Sequence, residues 1–140
     1  MARLRWLVAE AVDLYTRQSC LLTSAEDIAV MGATLADGGV NPVTGLRAVT
    51  PGVCQHTLAV MATAGMYETS GDWLFDVGVP GKSGIGGGIM TVSPGKGGLG
   101  TFSPLLDRAG NSVRGQLTAR HLSRTLGMSL FASSPRPSAG

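Results

Sequence analysis

The sequence predicts an α+β protein, in which helices come first, then a small antiparallel sheet, then one closing helix. Three observations predict it. Apolar residues recur at helical spacing in three separate stretches before residue 66. Two short β-rich runs, Gly88-Ile89-Met90-Thr91-Val92-Ser93 and Leu99-Gly100-Thr101-Phe102-Ser103, flank Pro94-Gly95-Lys96-Gly97-Gly98, the pattern of a hairpin. A last amphipathic stretch opens at Asn111 or Ser112 and closes at Gly127.

Taken in order, residues 3–16 place Leu4, Leu7, Val8, Ala11, Leu14 and Tyr15 on one face of a helix, with Arg5, Glu10 and Asp13 on the other. A tyrosine near the end of such a helix reads as half-buried, its hydroxyl at the surface. Thr23-Ser24-Ala25-Glu26 has the form of a capping box, with Thr23 as N-cap. The helix it opens carries Ile28, Met31, Gly32 and Leu35 as a stripe and ends at Gly38-Gly39. Its alanines and Gly32 predict close packing of another backbone. Thr50-Pro51 starts a third helix, proline being suited to the first helical position, and Gly65 ends it.

Residues 66–71 read as a loop, and residues 73–78 fit a short helix capped by Ser70 or a strand equally well. In the closing helix, Val113, Leu117, Leu122 and Leu126 mark the expected buried face. The expected organisation is a helical region over 1–66, a sheet with its closing helix over 67–131, and a disordered tail over 132–140. A three-stranded sheet needs a cover on each apolar face, and one terminal helix supplies only one of them.

The chain has 140 residues, 11 of them basic and 9 acidic, and a net charge of +2. That balance gives no electrostatic case for a nucleic-acid or anionic-membrane partner. No apolar run approaches the roughly 18 residues of a membrane span. Glu10 and Asp13 place acidic charge in the apolar stretch after Arg3 and Arg5, so the N-terminus does not read as a signal peptide. Cys20 and Cys54 lack metal-ligand spacing and are expected as buried free thiols, which fits a reducing cytoplasm.

Two motif matches fail on context. Gly95-Lys96-Gly97-Gly98-Leu99-Gly100 has the glycines of a dinucleotide loop but no long helix after it. Ser93-Pro94-Gly95-Lys96 is literally Ser-x-x-Lys, yet Pro-Gly forbids the helical turn that would bring the lysine beside the serine. His56 and His121 are single histidines on helical patterns.

The stretch Pro80-Gly81-Lys82-Ser83-Gly84-Ile85-Gly86-Gly87-Gly88-Ile89 puts a cation, a hydroxyl and five glycines into ten residues. At a strand edge it presents an ammonium, an Oγ and an open backbone to a ligand. Together with Tyr15 and Tyr67 it forms a candidate constellation for proton transfer without histidine, since a lysine beside a tyrosine draws on the phenolic proton. The plain alternative is a flexible turn between two strands.

Several blocks in register extend this reading. Asp13-Leu14-Tyr15-Thr16-Arg17-Gln18, Asp27-Ile28-Ala29-Val30-Met31 and Gly38-Gly39-Val40-Asn41-Pro42-Val43-Thr44-Gly45 resemble the serine-dependent glutaminases, as do Gly65-Met66-Tyr67, Ser70-Gly71, Lys82-Ser83-Gly84-Ile85-Gly86-Gly87-Gly88 and Gly110-Asn111-Ser112-Val113-Arg114-Gly115. The resemblance runs from about residue 8 to about 131 and covers roughly the C-terminal half of the family's pattern. It implies the C-terminal portion of a β-lactamase/DD-peptidase-like fold and hydrolysis of L-glutamine to L-glutamate and ammonia through an acyl-enzyme. It also implies no cofactor, no metal, and a homo-oligomer for the complete enzyme.

By the same resemblance, Tyr15 contacts substrate, Tyr67 transfers protons beside the nucleophile, and Ile85, where the family usually has valine, contacts substrate through its backbone. Lys82 gives electrostatic support and Ser83 lines the site. The family's Ser-x-x-Lys nucleophile and base, with its substrate-holding asparagine and glutamate, are expected upstream of Met1, which makes the isolated chain inactive. The alternative is a non-catalytic fragment or pairing module that binds glutamine weakly or complements a separate N-terminal half.

Overall fold

The computed structural model describes residues 8–133. The sequence expectations for residues 1–7 and for most of the tail fall outside them. The elements are α1 (Val8–Ser19), α2 (Ala25–Ala36), α3 (Pro51–Ala64), a 3₁₀ turn (Tyr67–Thr69), α4 (Ser70–Val77), β1 (Gly81–Ser83), β2 (Gly88–Ser93), β3 (Gly97–Phe102) and α5 (Val113–Thr125). The strands form one antiparallel sheet in the order β1-β2-β3, with Lys82 opposite Met90 and Ile89 opposite Thr101.

The sheet is covered on both faces, so the expected lack of a second cover does not hold. Helix α2 supplies it. Side chains alternate across a strand, and on one face Gly98 and Gly100 put bare backbone under α2. A Cβ on Gly98 would stand 2.2 Å from the Ala33 nitrogen, and one on Gly100 would stand 2.0 Å from the Ala25 carbonyl. The small residues of α2 meet the glycines of β3, the close backbone approach that the sequence predicts.

On the other face, Ile89 and Thr101 meet α5. The core lies there, built from Met66, Trp73, Val77, Val79, Ile89, Ala119 and Met128. The leucines do not form the inner face of α5. Gly115, Ala119 and Ser123 do, while Leu117 and Leu126 are exposed. A Cβ on Gly115 would already stand 3.0 Å from Ile89 Cδ1, so the helix lies too close to the sheet for large side chains at the contact.

Several local expectations shift. The cap of α2 is Ser24 rather than Thr23. Its Oγ accepts from the Asp27 N–H at 3.1 Å, and Asp27 Oδ2 accepts from the Ser24 N–H at 2.8 Å. Thr50 caps α3 as expected, and Gly65 ends it.

The expected loop at 66–71 is a 3₁₀ turn running into α4, and residues 73–78 settle as helix. Trp73 and Val77, one turn apart, are both buried, and Gly78 closes the helix at φ +78°. Ser70 does not cap α4. Its hydroxyl accepts from the Met66 N–H and donates to the Tyr67 carbonyl. The hairpin between β2 and β3 forms as expected, and Ser112 caps α5. Cys54 is buried, but Cys20 is exposed, because it follows α1, a helix with no buried residue.

Candidate active site

The site is assembled at the corner where α3 hands over to the 3₁₀ turn and β1. Gly65 makes that corner possible, since a Cβ there would stand 1.8 Å from the Gly81 carbonyl. The Ser83 N–H donates to the Gly65 carbonyl at 3.1 Å, which ties the strand to the start of the turn. Gly81 lies against the indole of Trp73, where a Cβ would stand 2.6 Å from the ring. Trp73 Nε1 donates to the Val79 carbonyl at 2.7 Å and so holds the approach to β1.

Tyr67 and Lys82 meet across this corner. The Lys82 Nζ stands over the Tyr67 ring, 5.0 Å from its centroid, within the range where a cation is attracted to an aromatic face. The ammonium also donates to the Ser83 carbonyl. Burial around the ammonium lowers the Lys82 pKa from its ordinary value, although the residue as a whole keeps contact with water. Among the described residues, no hydrogen bond engages the Tyr67 hydroxyl.

Ile85 comes next, in the turn between β1 and β2, and is 78% exposed. The turn is closed by the Gly84 N–H on the Gly88 carbonyl and by the Gly87 N–H on the Gly84 carbonyl, both at 2.9 Å. Among the described residues, the N–H of Ile85 has no backbone partner, which leaves it open as a donor to a ligand. Ile85 and Tyr67 converge over Gly110: a Cβ on that glycine would stand 3.7 Å from Tyr67 Cε2 and 3.9 Å from Ile85 Cγ2.

Ser83 points the other way. It is buried, on the α5 face of the strand, and its Oγ donates to Asn111 Oδ1 at 2.5 Å. Tyr15 stands apart, 69% exposed on α1, a helix with no buried residue, so the half-buried position expected for it is not observed. The structure thus brings Tyr67, Lys82 and Ile85 together, sets Ser83 beneath them, and leaves Tyr15 outside. Asn111, read from the sequence only as a helix cap, is the residue that sequence reasoning missed. The one signal for it was its place in the Gly110-Asn111-Ser112 block.

Neither rejected motif re-emerges. Ser93 Oγ donates to the Met128 carbonyl at 2.9 Å, and Lys96 Nζ donates to the Gly127 carbonyl at 2.5 Å. Both are spent on the end of α5.

A layered helix–sheet–helix arrangement with a tyrosine, a lysine and a bare turn amide at one strand edge is an arrangement suited to acyl transfer. The family model described as Glutaminase matches residues 2–131, and the chain belongs to the glutaminase family. It is 72% identical over 125 residues to Glutaminase 2 of Yersinia pestis, covering 89% of this chain and 37% of that protein. It is 51% identical over 124 residues to a glutaminase of Microcystis aeruginosa, again covering 89% and 37%.

Among solved structures, a probable glutaminase named ybaS superposes with a TM-score of 0.87 at 47% identity, over 91% of this chain and 41% of that one. The Bacillus subtilis glutaminase YbgJ, solved as a covalent complex with 5-oxo-L-norleucine, gives 0.84 at 34% identity over 89% and 45%. The fold is therefore part of the β-lactamase-like fold of these glutaminases. The chain spans about 37% of the length of the curated relatives it matches. Among the described residues, no helix is long and apolar enough to cross a membrane.

Proposed function

We propose that this chain supplies one wall of a glutaminase active site that hydrolyses L-glutamine to L-glutamate and ammonia. The observation that carries the reading is the convergence of Tyr67, Lys82 and the unpaired Ile85 amide at one strand edge in a chain of this family. The covalent complex of the YbgJ protein, formed by reaction with 6-diazo-5-oxo-L-norleucine, supports a route through a covalent intermediate.

In that route a nucleophile attacks the side-chain amide carbon, ammonia leaves, and water releases glutamate. By the family resemblance the attack requires a Ser-x-x-Lys pair, which the chimaera described below draws from the remainder of the relative. Tyr67 moves the proton between the nucleophile and the leaving nitrogen, its free hydroxyl being available for the task. Lys82 stabilises negative charge as it develops on the phenol. The Ile85 N–H donates to the oxyanion. Tyr15 reaches the substrate only when α1 is packed against the rest of a complete protein, and Ser83 serves the site from below by fixing β1.

The complete enzyme acts as a homo-oligomer in the cytoplasm. The uncovered apolar side chains support the oligomer, and the two free thiols support the compartment. The test is a chimaera in which the matched segment of the Yersinia relative is replaced by this chain. Release of ammonia from L-glutamine by the chimaera, and none by the 140 residues alone, is the expected result. A folded chimaera without turnover overturns the reading in favour of a non-catalytic pairing module.

A further inference from the structure

Asn111 is fully buried, and its side chain is engaged at both ends. Its Oδ1 accepts from Ser83 Oγ, while its Nδ2 donates to the Met66 carbonyl at 3.3 Å and to Thr69 Oγ1 at 3.0 Å. These partners lie on β1 and on either side of Tyr67 in the chain. The Thr69 hydroxyl donates to the same Met66 carbonyl, and Ser70 Oγ bridges the Met66 N–H and the Tyr67 carbonyl. From below, the Asn111 N–H donates to Asp107 Oδ1 at 2.9 Å.

Tyr67 sits inside this cage with φ +55°, the one positive-φ residue other than glycine among those described. A left-handed tyrosine is strained and persists only where its surroundings over-determine it. The loop carrying Asn111 also carries Gly110, the surface on which the Tyr67 ring and Ile85 converge.

We propose that Asn111 is the positioning residue of this site. Its carboxamide couples β1, which carries Lys82 and leads into Ile85, to the backbone on both sides of Tyr67. The ring is thereby held against Lys82 and over Gly110. Asn111 itself is buried away from the reacting face and acts only through Tyr67. The catalytic consequence rests on the reading of Tyr67 as the proton-transfer residue, whereas the geometric claim stands without it.

A purely structural asparagine would lower stability when replaced and leave Tyr67 where it is. The two are separated by nuclear Overhauser contacts in the 140-residue chain at neutral pH. Contacts from the Tyr67 ring to Gly110 Hα and to the Ile85 methyl report the site, and the cross-strand contact between Lys82 and Met90 reports the sheet. The wild-type chain is expected to show all of them. Asn111→Asp, close to isosteric, keeps an acceptor for Ser83 but loses both side-chain donors, and Asn111→Ala loses every side-chain partner while keeping the backbone bond to Asp107.

Both variants are expected to lose the Tyr67 contacts while the Lys82–Met90 contact survives. Persistence of the Tyr67 contacts in both variants overturns the proposal. So does their disappearance only together with the sheet contact, including through unfolding of both variants, and so does their absence from the wild-type chain. No turnover enters this experiment, so its failure is distinct from failure of the amidohydrolase reading.

Discussion

Lys82 holds an ammonium partly withdrawn from water, and among the described residues no ion pair engages it, so its folded pKa is lowered by burial. The unfolded chain keeps this proton up to about pH 10.4, its ordinary value, and the folded chain sheds it earlier. Between the lowered pKa and that value the unfolded state binds more protons, and stability from this group rises with pH. Lys82→Met is expected to remove that alkaline gain, measured as the difference between two urea-denaturation series across pH 8 to 11. Identical pH dependence in both proteins would contradict it. In the proposed reaction the donor at Ile85 is the backbone, so Ile85→Val is expected to leave kcat of the chimaera nearly unchanged, as a steady-state assay would show. The glycines on either side made this turn legible in the sequence. The inward orientation of Ser83 was not, because a one-residue difference along a strand decides which face a hydroxyl joins.

The elements that set the site owe their placement to small residues. The α2–β3 contact is the clearest case, since the alanines and Gly32 of α2 announced it in the sequence and the glycines of β3 complete it. Gly98→Ala forces a Cβ onto helix backbone, which cannot move like a flexible side chain. We expect a loss on the order of 3 kcal/mol by overpacking, read as a lower midpoint in chemical denaturation. The same logic hid the inner face of α5. Leucine spacing pointed to Leu117 and Leu126, whereas the sheet admits only Gly115, Ala119 and Ser123.

The loop at 107–111 is held by charge. Burial pushes the Asp107 carboxyl up. Hydrogen bonds from the Asn111 N–H, the Gln116 side chain, the Ala109 N–H and the Gly110 N–H outweigh it and hold the pKa below the ordinary aspartate value. That stability is present above the unfolded pKa of about 3.9 and is lost as pH falls through the folded value. Asp107→Asn is expected to cost about 1 kcal/mol at neutral pH and to flatten the acid limb below pH 4. Equal midpoints at pH 7 would contradict it.

The molecule as a whole leaves large apolar side chains uncovered among the described residues. Val8, Leu22, Phe75 and Phe131 are among the apolar side chains left in water. Apolar surface left in water favours association, so sedimentation of the 140-residue chain is expected to show concentration-dependent self-association. A monomer across the whole range would contradict it. The sequence pattern carried the element order and the family, because helix stops, hairpin glycines and motif blocks are local. It did not carry the exposure of α1, since Leu14 and Tyr15 are patterned for a partner surface that the described residues lack.

Tyr67 is the residue proposed to move a proton in glutamine hydrolysis. The most direct test of that role is steady-state kinetics of Tyr67→Phe in the chimaera with the Yersinia relative. Loss of a positioned proton-transfer group lowers the chemical step by about 10²–10⁴-fold, so kcat is expected to fall by that order with KM little changed. An unchanged kcat, or a loss carried by KM alone, would contradict the account and leave Tyr67 a substrate contact only.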